Sequence, residues 1–537
     1  MTQLDPSHPQ ATSSLPQAKK QLDPIFQPLK FRSGLIVKNR LFRSNISGRF
    51  DHYDGHGSEA RLRWESSFAA GGVGCVISSF TPISIRGRIM VNYATIDHDD
   101  KIAFWSRVAN HVHAAGKTAF PDDPVQSGEC KFIMQLSHSG RQRDVGGVEN
   151  HQNLALSSTS QPDYFHGILC QAMTRTEVAE TIQHFANAAV RAQKAGIDGV
   201  ELHGANGYLI TQFLSSAIND RRDEYGGELR NRARFLLEVI DAIKQATHGT
   251  MHLQLKTNAE DFNNALYPWR KRGNKLDDAL QICQWAVASG CDAIHVSSGS
   301  IFPHPRNPPG DFPLEDAILC YDSMLSSGVR TRLNYWIFRN PLLGPFFRWW
   351  WNFRRGLAYE DIKSGINLGL AAKIRKSVDP SIPVLVTGGF QHRSVIADAI
   401  RSNRVDGVSI ARPLVANRDL PKLFYAGMDW DQASWVPDDQ WPIQNRHPCS
   451  YCNKCLINDL ENPLGCYDTN RYKNYDEMIH EVMSVFRNLE EYHQDNDSGA
   501  NTGHKTGKET SEHVQVDQVA SDLKVDETSP VSSKGGR

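Results

Sequence analysis

The sequence predicts a (β/α)8 barrel (TIM barrel, α/β class) carrying insertions and disordered termini. Three observations lead there: eight short apolar, β-branched runs recur along the chain, a longer helical pattern follows them, and the runs are continuous rather than alternating. Continuous apolar strands separated by helices are what a parallel sheet covered on its outside produces. Eight such units in one chain favour a single closed barrel over two doubly wound domains.

In order, the strand candidates are residues 41–46, VGCVISS from Val73, KFIMQLS from Lys131, DGVELHG from Asp198, MHLQLKT from Met251, DAIHVSS from Asp292, IPVLVTGG from Ile382 and DGVSIAR from Asp406. The helix at 174–196 opens on Thr174 with Glu177 three residues later, a capping-box spacing. Its apolar residues Val178, Ile182, Phe185, Ala189 and Ala192 fall on one face, and Gly196 ends it. Further helices are expected near 59–71, 101–116, 227–246, 275–289, 367–378 and 392–402. Residues 118–130 read as a surface insertion. Residues 300–356, rich in Pro and aromatics and ending in PLLGPFFRWWWNFRRG, fit three readings. They are a segment packing its own satellite core, a lid over the barrel mouth, or an interfacial membrane anchor, since Trp and Arg favour the bilayer boundary.

The domain plan is therefore a disordered segment 1–23, a barrel over 24–446 with the insertion 300–356, a Cys-containing extension over 447–488 and a disordered tail over 489–537. Both ends are too polar to bury a core. Composition sets outer bounds. The 537 residues are 40% hydrophobic, which excludes a fibrous or wholly disordered chain. Lys and Arg total 59 against 60 Asp and Glu, so no global field recruits nucleic acid or an anionic surface. There is no apolar run of 18 or more uncharged residues and no apolar stretch near Met1, so a cytoplasmic protein with no transmembrane segment is expected.

Four of the ten cysteines crowd into CSYCNKC and, ten residues on, a further Cys: Cys449, Cys452, Cys455 and Cys466. In an intracellular chain this favours iron–sulfur or zinc chemistry over disulfides, with an inherited remnant as the alternative.

Barrels of this kind place chemistry at the C-terminal ends of their strands and phosphate sites after strands 7 and 8. Those ends read Ser44 to Ser47, Gln135 and His138, then His203, Asn206 and Tyr208, then Lys256, Gly388 and Gly389, and finally Ala411 and Arg412. The VTGG turn offers backbone N–H groups to a phosphate, and Arg412 can add a charged clamp.

The run VELHGANGYLITQFLSSAINDRRDEYGGELRNRARFLLEVI, residues 200–240, resembles the signature of the Old Yellow Enzyme family of FMN-dependent ene-reductases and NADH:flavin oxidoreductases. KNRLFRSNIS, AAGGVGCVISS, FIMQLSHSGRQ, LQLKTNAEDF, IPVLVTGGF and GVSIARPLVANRDLPK agree in order, so the resemblance covers about residues 24–475. It is greater to the branch containing bacterial 2,4-dienoyl-CoA reductases and fungal homologues than to the classical yeast enzymes.

The resemblance implies FMN as cofactor, NADPH or NADH as hydride donor and a small-molecule enone as substrate, its C=C bond being reduced by an NAD(P)H:flavin oxidoreductase. It implies that His203 and Asn206 bind the substrate carbonyl and that Tyr208 donates the proton. Two donors on a carbonyl oxygen draw electron density from the conjugated C=C bond. A phenol suits the second role because it stays protonated at neutral pH. Ser47 is implied at flavin O4, Gln135 at the pyrimidine edge and Lys256 near N1 and O2, where many relatives carry Arg. Lys lacks the planar fork of Arg, so the contact cannot be bidentate. Gly388, Gly389, Ala411 and Arg412 are implied at the phosphate.

Relatives in this branch bind a 4Fe-4S cluster through a Cys-rich segment after the barrel, which Cys449, Cys452, Cys455 and Cys466 resemble, with a middle gap of two residues where three are expected. The further flavin and nicotinamide domains of the dienoyl reductases are not expected in this sequence. No dinucleotide fingerprint is present, so nicotinamide is expected to visit the flavin face. Another redox reaction at the same flavin site, a catalytically idle flavin barrel, and a flavin-free lyase with Lys256 as Schiff base remain alternatives. Partner expectations are a small molecule, no nucleic acid and, through the insertion, peripheral membrane contact; the oligomeric state is open.

Overall fold

The computed structural model describes residues 23–46, 48–143, 149, 152–359 and 361–486. All eight expected runs form parallel strands: β1 (Leu41–Arg43), β2 (Cys75–Ile77), β3 (Lys131–Ser137), β4 (Gly199–Gly204), β5 (His252–Asn258), β6 (Ala293–Ser297), β7 (Val384–Thr387) and β8 (Gly407–Ile410). Their order is β2-β1-β8-β7-β6-β5-β4-β3, and pairing of β2 with β3 closes the barrel. The outer ring is α1 (Glu59–Ala70), α2 (Ile102–Gly116), α3 (Arg175–Lys194), α4 (Leu229–Ala246), α5 (Leu276–Ala288), α6 (Leu368–Ser377), α7 (Arg393–Arg401) and α8 (Leu420–Tyr425). The expected capping box starts α3. Thr174 Oγ1 accepts from the Glu177 N–H, and Glu177 accepts from the Thr174 N–H at 2.8 Å. The short α8 has six residues, too few for a helical period to show in the sequence.

Strand parity sets what the barrel holds. Alternate strand residues face opposite sides, so Val200 and Leu202, Leu253 and Leu255, Ile294 and Val296 join the core beneath the helices. The intervening residues face the barrel interior and change from apolar to polar along the axis. At the lower end Phe42, Cys75, Ile77, Ile133, Ala293 and Leu385 pack together, plugged by Leu29, Phe31 and Val37 of the N-terminal hairpin. Next comes Glu201, which accepts from Gln135 Nε2 at 2.7 Å, Gln254 Nε2 at 2.5 Å and His295 Nδ1 at 2.8 Å. Gln135 and Gln254 are its direct register neighbours on β3 and β5.

Residues 118–130, expected as a surface insertion, do expose Thr118, Pro121, Asp122, Pro124 and Val125, but they also bury Ala119, Phe120 and Gln126. The Gln126 amide is buried and donates to the carbonyls of Phe26 and Lys38, while Lys38 Nζ donates to the carbonyls of Gly116, Gln126 and Gly128. The side-chain amide supplies in the interior what water would supply at a surface.

The segment after β6 carries four helices, Leu314–Leu319, Tyr321–Ser326, Val329–Arg339 and Leu343–Gly356. Its Phe312, Leu314, Met324, Tyr335, Phe338 and Trp351 form, with Tyr164, Phe165 and Leu266 of the loops after β3 and β5, a cluster separate from the main core. The insertion thus packs a satellite core that it shares with two barrel loops rather than one of its own, and Phe312, Phe338 and Trp351 also line the central cavity as a lid would. Residues 447–486 pack on the barrel's upper end and the insertion: Asn453 Nδ2 donates to Asp311 O and Asn458 Nδ2 to Asp316. Among the described residues no helix is long and apolar enough to cross a membrane.

Candidate functional site

A cavity of about 280 Å³ opens where the strands end, lined by Ser44, His203, Lys256, Ser297, Thr387 and Ser409 of the barrel and roofed by the insertion. Most inward-facing polar residues of the upper strand ends thus meet in one place, as strand parity requires.

His203 lies near the end of β4, 2% exposed, and neither ring nitrogen has a hydrogen-bond partner. Burial, then the charges of Lys256 and His295, hold it well below its ordinary value, so the imidazole is neutral at pH 7. The chain then reverses through Asn206 (φ 60°) and Gly207 (φ 83°). A Cβ at Gly207 would stand 2.2 Å from the Ser300 carbonyl oxygen, so this turn requires glycine. It returns Tyr208 to the cavity with its ring centroid 4.7 Å from that of His203. Burial pushes the Tyr208 phenol up, which keeps it protonated through the neutral range.

Asn206 is nearby but differently occupied: its Nδ2 donates to Ser297 Oγ at 3.2 Å and to Ser298 O at 3.1 Å. The expected carbonyl-binding pair is therefore unequal, with one ring free to donate and one amide already donating.

Lys256 sits level with His203 in the β4–β5 register and lines the cavity. Burial lowers it to about 8, against the opposing pull of Glu201, and its Nζ donates to Asn45 Oδ1. Gln135 lies deeper, at the Glu201 level, and is not part of the cavity wall; its Oε1 is buried without a partner. His138 is buried and outside the wall, its Nδ1 accepting from the Gly140 N–H. Ser47 lies outside the described residues.

Gly388 (φ 115°) and Gly389 (φ 82°) form the turn after β7. A Cβ at Gly389 would meet the Ile362 carbonyl oxygen at 1.9 Å, so the turn requires glycine there, and both glycines line the cavity. Ala411 precedes the short helix Arg412–Ala416. The buried Arg412 guanidinium donates to Asn453 Oδ1 and lies 5.1 Å from the Tyr451 ring centroid. Arg412 borders both the central cavity and a second, small one walled by Cys449, Cys452, Cys455 and Cys466. The four cysteines thus converge, with burial pushing Cys449 up to about 11 and raising Cys452 and Cys455. Among the described residues no three His, Cys, Asp or Glu side chains are grouped so as to hold a metal ion, so the zinc reading has no geometric support.

Sequence reasoning missed Ser297, Tyr451 and Asn453, and covered Asn45 only within the Ser44 to Ser47 strand end. Ser297 had a signal, since it ends β6 where a barrel places its chemistry. Tyr451 and Asn453 had none, because a distant extension brings them to Arg412.

The comparisons agree with this architecture. Residues 24–257 match the model of the NADH:flavin oxidoreductase / NADH oxidase family. An NADPH dehydrogenase of Halalkalibacterium halodurans is 33% identical over 289 residues, covering 53% of this chain and 77% of the relative. An NADH oxidase of Thermoanaerobacter brockii is 29% identical over 434 residues, covering 81% of this chain, which spans only 56% of that relative's length. Two solved structures share the fold. A 2-naphthoyl-CoA reductase complex superposes with a TM-score of 0.60 at 21% identity, covering 83% of this chain and 56% of that one. Morphinone reductase superposes with a TM-score of 0.52 at 21% identity, covering 76% and 90%. The ordered motifs, the closed barrel and the relative matched over most of its length converge: the chain belongs to the NADH:flavin oxidoreductase / NADH oxidase family of oxidoreductases, the Old Yellow Enzyme family.

Proposed function

We propose that the protein is an FMN-dependent ene-reductase that takes reducing equivalents from NADPH or NADH and reduces the C=C bond of α,β-unsaturated carbonyl compounds. The observation that carries this reading is the buried, neutral His203, with no hydrogen-bond partner on its ring, packed against a protonated Tyr208 at the cavity wall.

The residues fit FMN in chemistry. Lys256 supplies a cation for the pyrimidine edge, and the Gly388–Gly389 turn, Ala411 and Arg412, all at the cavity wall, suit the phosphate, while Gln135 lies below the wall. When bound, FMN supplies the hydride that reaches the β-carbon. The chain's part is to polarise and to protonate. A His203 N–H donates to the substrate carbonyl oxygen and stabilises the charge that develops there. Tyr208 gives its proton to the α-carbon, completing addition of two hydrogens across the C=C bond. Asn206 joins His203 on the same oxygen once its amide exchanges Ser297 or Ser298 for substrate. The apolar roof of Phe312, Phe338 and Trp351 suits a hydrophobic substrate body.

Tyr208→Phe tests the assignment. Anaerobic stopped-flow with 2-cyclohexenone is expected to show reoxidation by the enone slowed by about 100-fold or more, with reduction by NADPH nearly unchanged. Equal loss in both halves would remove Tyr208 from the proton-donor role. The lining of one small cavity by Cys449, Cys452, Cys455 and Cys466 is what supports an iron–sulfur cluster there; the absence, among the described residues, of a group of three placed to hold a metal ion speaks for an inherited remnant instead. Iron analysis of anaerobically purified protein is expected to give about four iron atoms per chain; less than about a tenth of an equivalent would exclude it.

A further inference from the structure

The helix Leu343–Gly356 turns aromatic residues outward, among its arginines, as well as inward. Its inner side, through Phe347 and Trp351, packs on Phe312 and Phe338 with ring centroids 4.9–5.3 Å apart. A helix covering a satellite core should turn polar residues to water on the other side. Here the other side presents Phe346, Trp349 and Phe353, respectively 59%, 57% and 46% exposed. Their rings touch in sequence, with centroids 5.6 and 5.7 Å apart, forming one aromatic stripe. The stripe extends sideways, because Trp350 Nε1 donates to Leu266 O and Arg354 Nε to Ala265 O, which brings the exposed Trp269 loop alongside the helix. Exposed apolar patches of this kind mark contact surfaces.

The charge around the stripe selects the contact. Residues 329–356 carry six arginines and no carboxylate, and residues 264–275 carry four cations and no carboxylate, in a chain whose net charge is −1. Three of these cations are paired with acids from outside the two segments: Arg348 with Glu315, Arg355 with Asp311 and Arg272 with Glu260. The other seven have no carboxylate partner among the described residues. A second copy of the chain meeting this face through a two-fold axis would set like charge against like charge. An anionic lipid surface complements it in both respects, with headgroups for the arginines and an acyl boundary for the Trp and Phe rings.

We propose that the outer face of the 300–356 insertion, with the 264–272 loop beside it, docks the protein on anionic phospholipid membranes. The helix lies in the interfacial plane and does not span. Its inner face at the same time roofs the cavity, so the bilayer and the site share one layer of aromatic side chains.

The test is co-sedimentation of the full-length holoprotein with vesicles of phosphatidylcholine alone and with about a third phosphatidylserine. Binding is expected to be at least about tenfold stronger to the anionic vesicles and to weaken in high salt. The triple variant F346S/W349S/F353S is expected to lose at least about tenfold of that binding. Arg332→Glu with Arg339→Glu is expected to abolish the anionic preference while leaving the melting temperature unchanged, which keeps the test sound if the triple variant folds poorly. Equal binding to both vesicle types, or no binding, would overturn the proposal. So would a wild-type dimer in solution that the same substitutions convert to monomer, which would identify the face as a self-association surface.

Discussion

The barrel interior buries Glu201, Gln135, Gln254 and His295 in one hydrogen-bonded set, whereas the insertion leaves Phe346, Trp349 and Phe353 in water. The two regions reverse the usual placement of polar and apolar groups. In the barrel each buried polar atom of Glu201 has a partner supplied by strand register. In the insertion the aromatic residues are too many for one small core, and a short helix has only one side to bury. Polar groups can go inside when a rigid ladder fixes their partners; apolar groups remain outside when the element carrying them has nothing further to pack on.

The comparison is broken most severely by Glu201→Ala. Burial disfavours its charge, yet His295, Lys256 and Gln135 hold the carboxyl below its ordinary value, so it is ionised. Removing it strands Lys256 and two amides, and a loss of about 3–5 kcal/mol is expected, read as a lower melting temperature of the whole barrel. Next is Trp351→Ala, which empties the satellite cluster and is expected to cost about 3 kcal/mol there. Limited proteolysis should then cut within 300–356 while the barrel transition stays in place. If the barrel melts with it, the two regions are one cooperative unit and the distinction fails.

The smallest effect follows pH. Lys256 is lowered to about 8 by burial. Below that value both folded and unfolded chains hold its proton, and the cost of burying the charge is fully present. As pH rises from about 8 into the ordinary lysine range, the folded state releases the proton first, so stability should rise across that window by at most about 3 kcal/mol. Denaturant titrations at a series of pH values check this, and Lys256→Met should flatten the rise.

How far the fold was legible follows the same division. Each barrel strand announced itself because a buried parallel strand needs an unbroken apolar outer set, which Val200, Leu202, Leu253 and Leu255 supply. The polar inner set on the same strands placed His203 and Lys256 at the site without any tertiary information. Tyr208 was legible from its place just past the end of β4 and from the family resemblance; the left-handed Asn206–Gly207 turn that returns it to the cavity was not read from the sequence. The engagement of Asn206 by Ser297 was not legible, since it depends on how β6 ends relative to β4. The position of Tyr451 and Asn453 beside Arg412 was equally hidden, for the extension reaches them across about 40 residues with no local rule. The insertion gave composition without topology: its aromatics fitted a core, a roof and a docking face, and the structure gives them the first two.

The alternation along β4 and β5 has a consequence for how such a chain can change. Glu201, His203, Gln254 and Lys256 occupy one parity, and Val200, Leu202, Leu253 and Leu255 the other. These two strands therefore carry two interleaved messages, one written for chemistry and one for adhesion to the helices. A point substitution edits one message at a time, but deletion of a single residue upstream in β4 would exchange them, turning carboxylate and imidazole toward the helices and aliphatic chains toward the site. In these strands the reading frame of the fold and that of the site are the same frame, so a change of length damages both where a change of residue damages one.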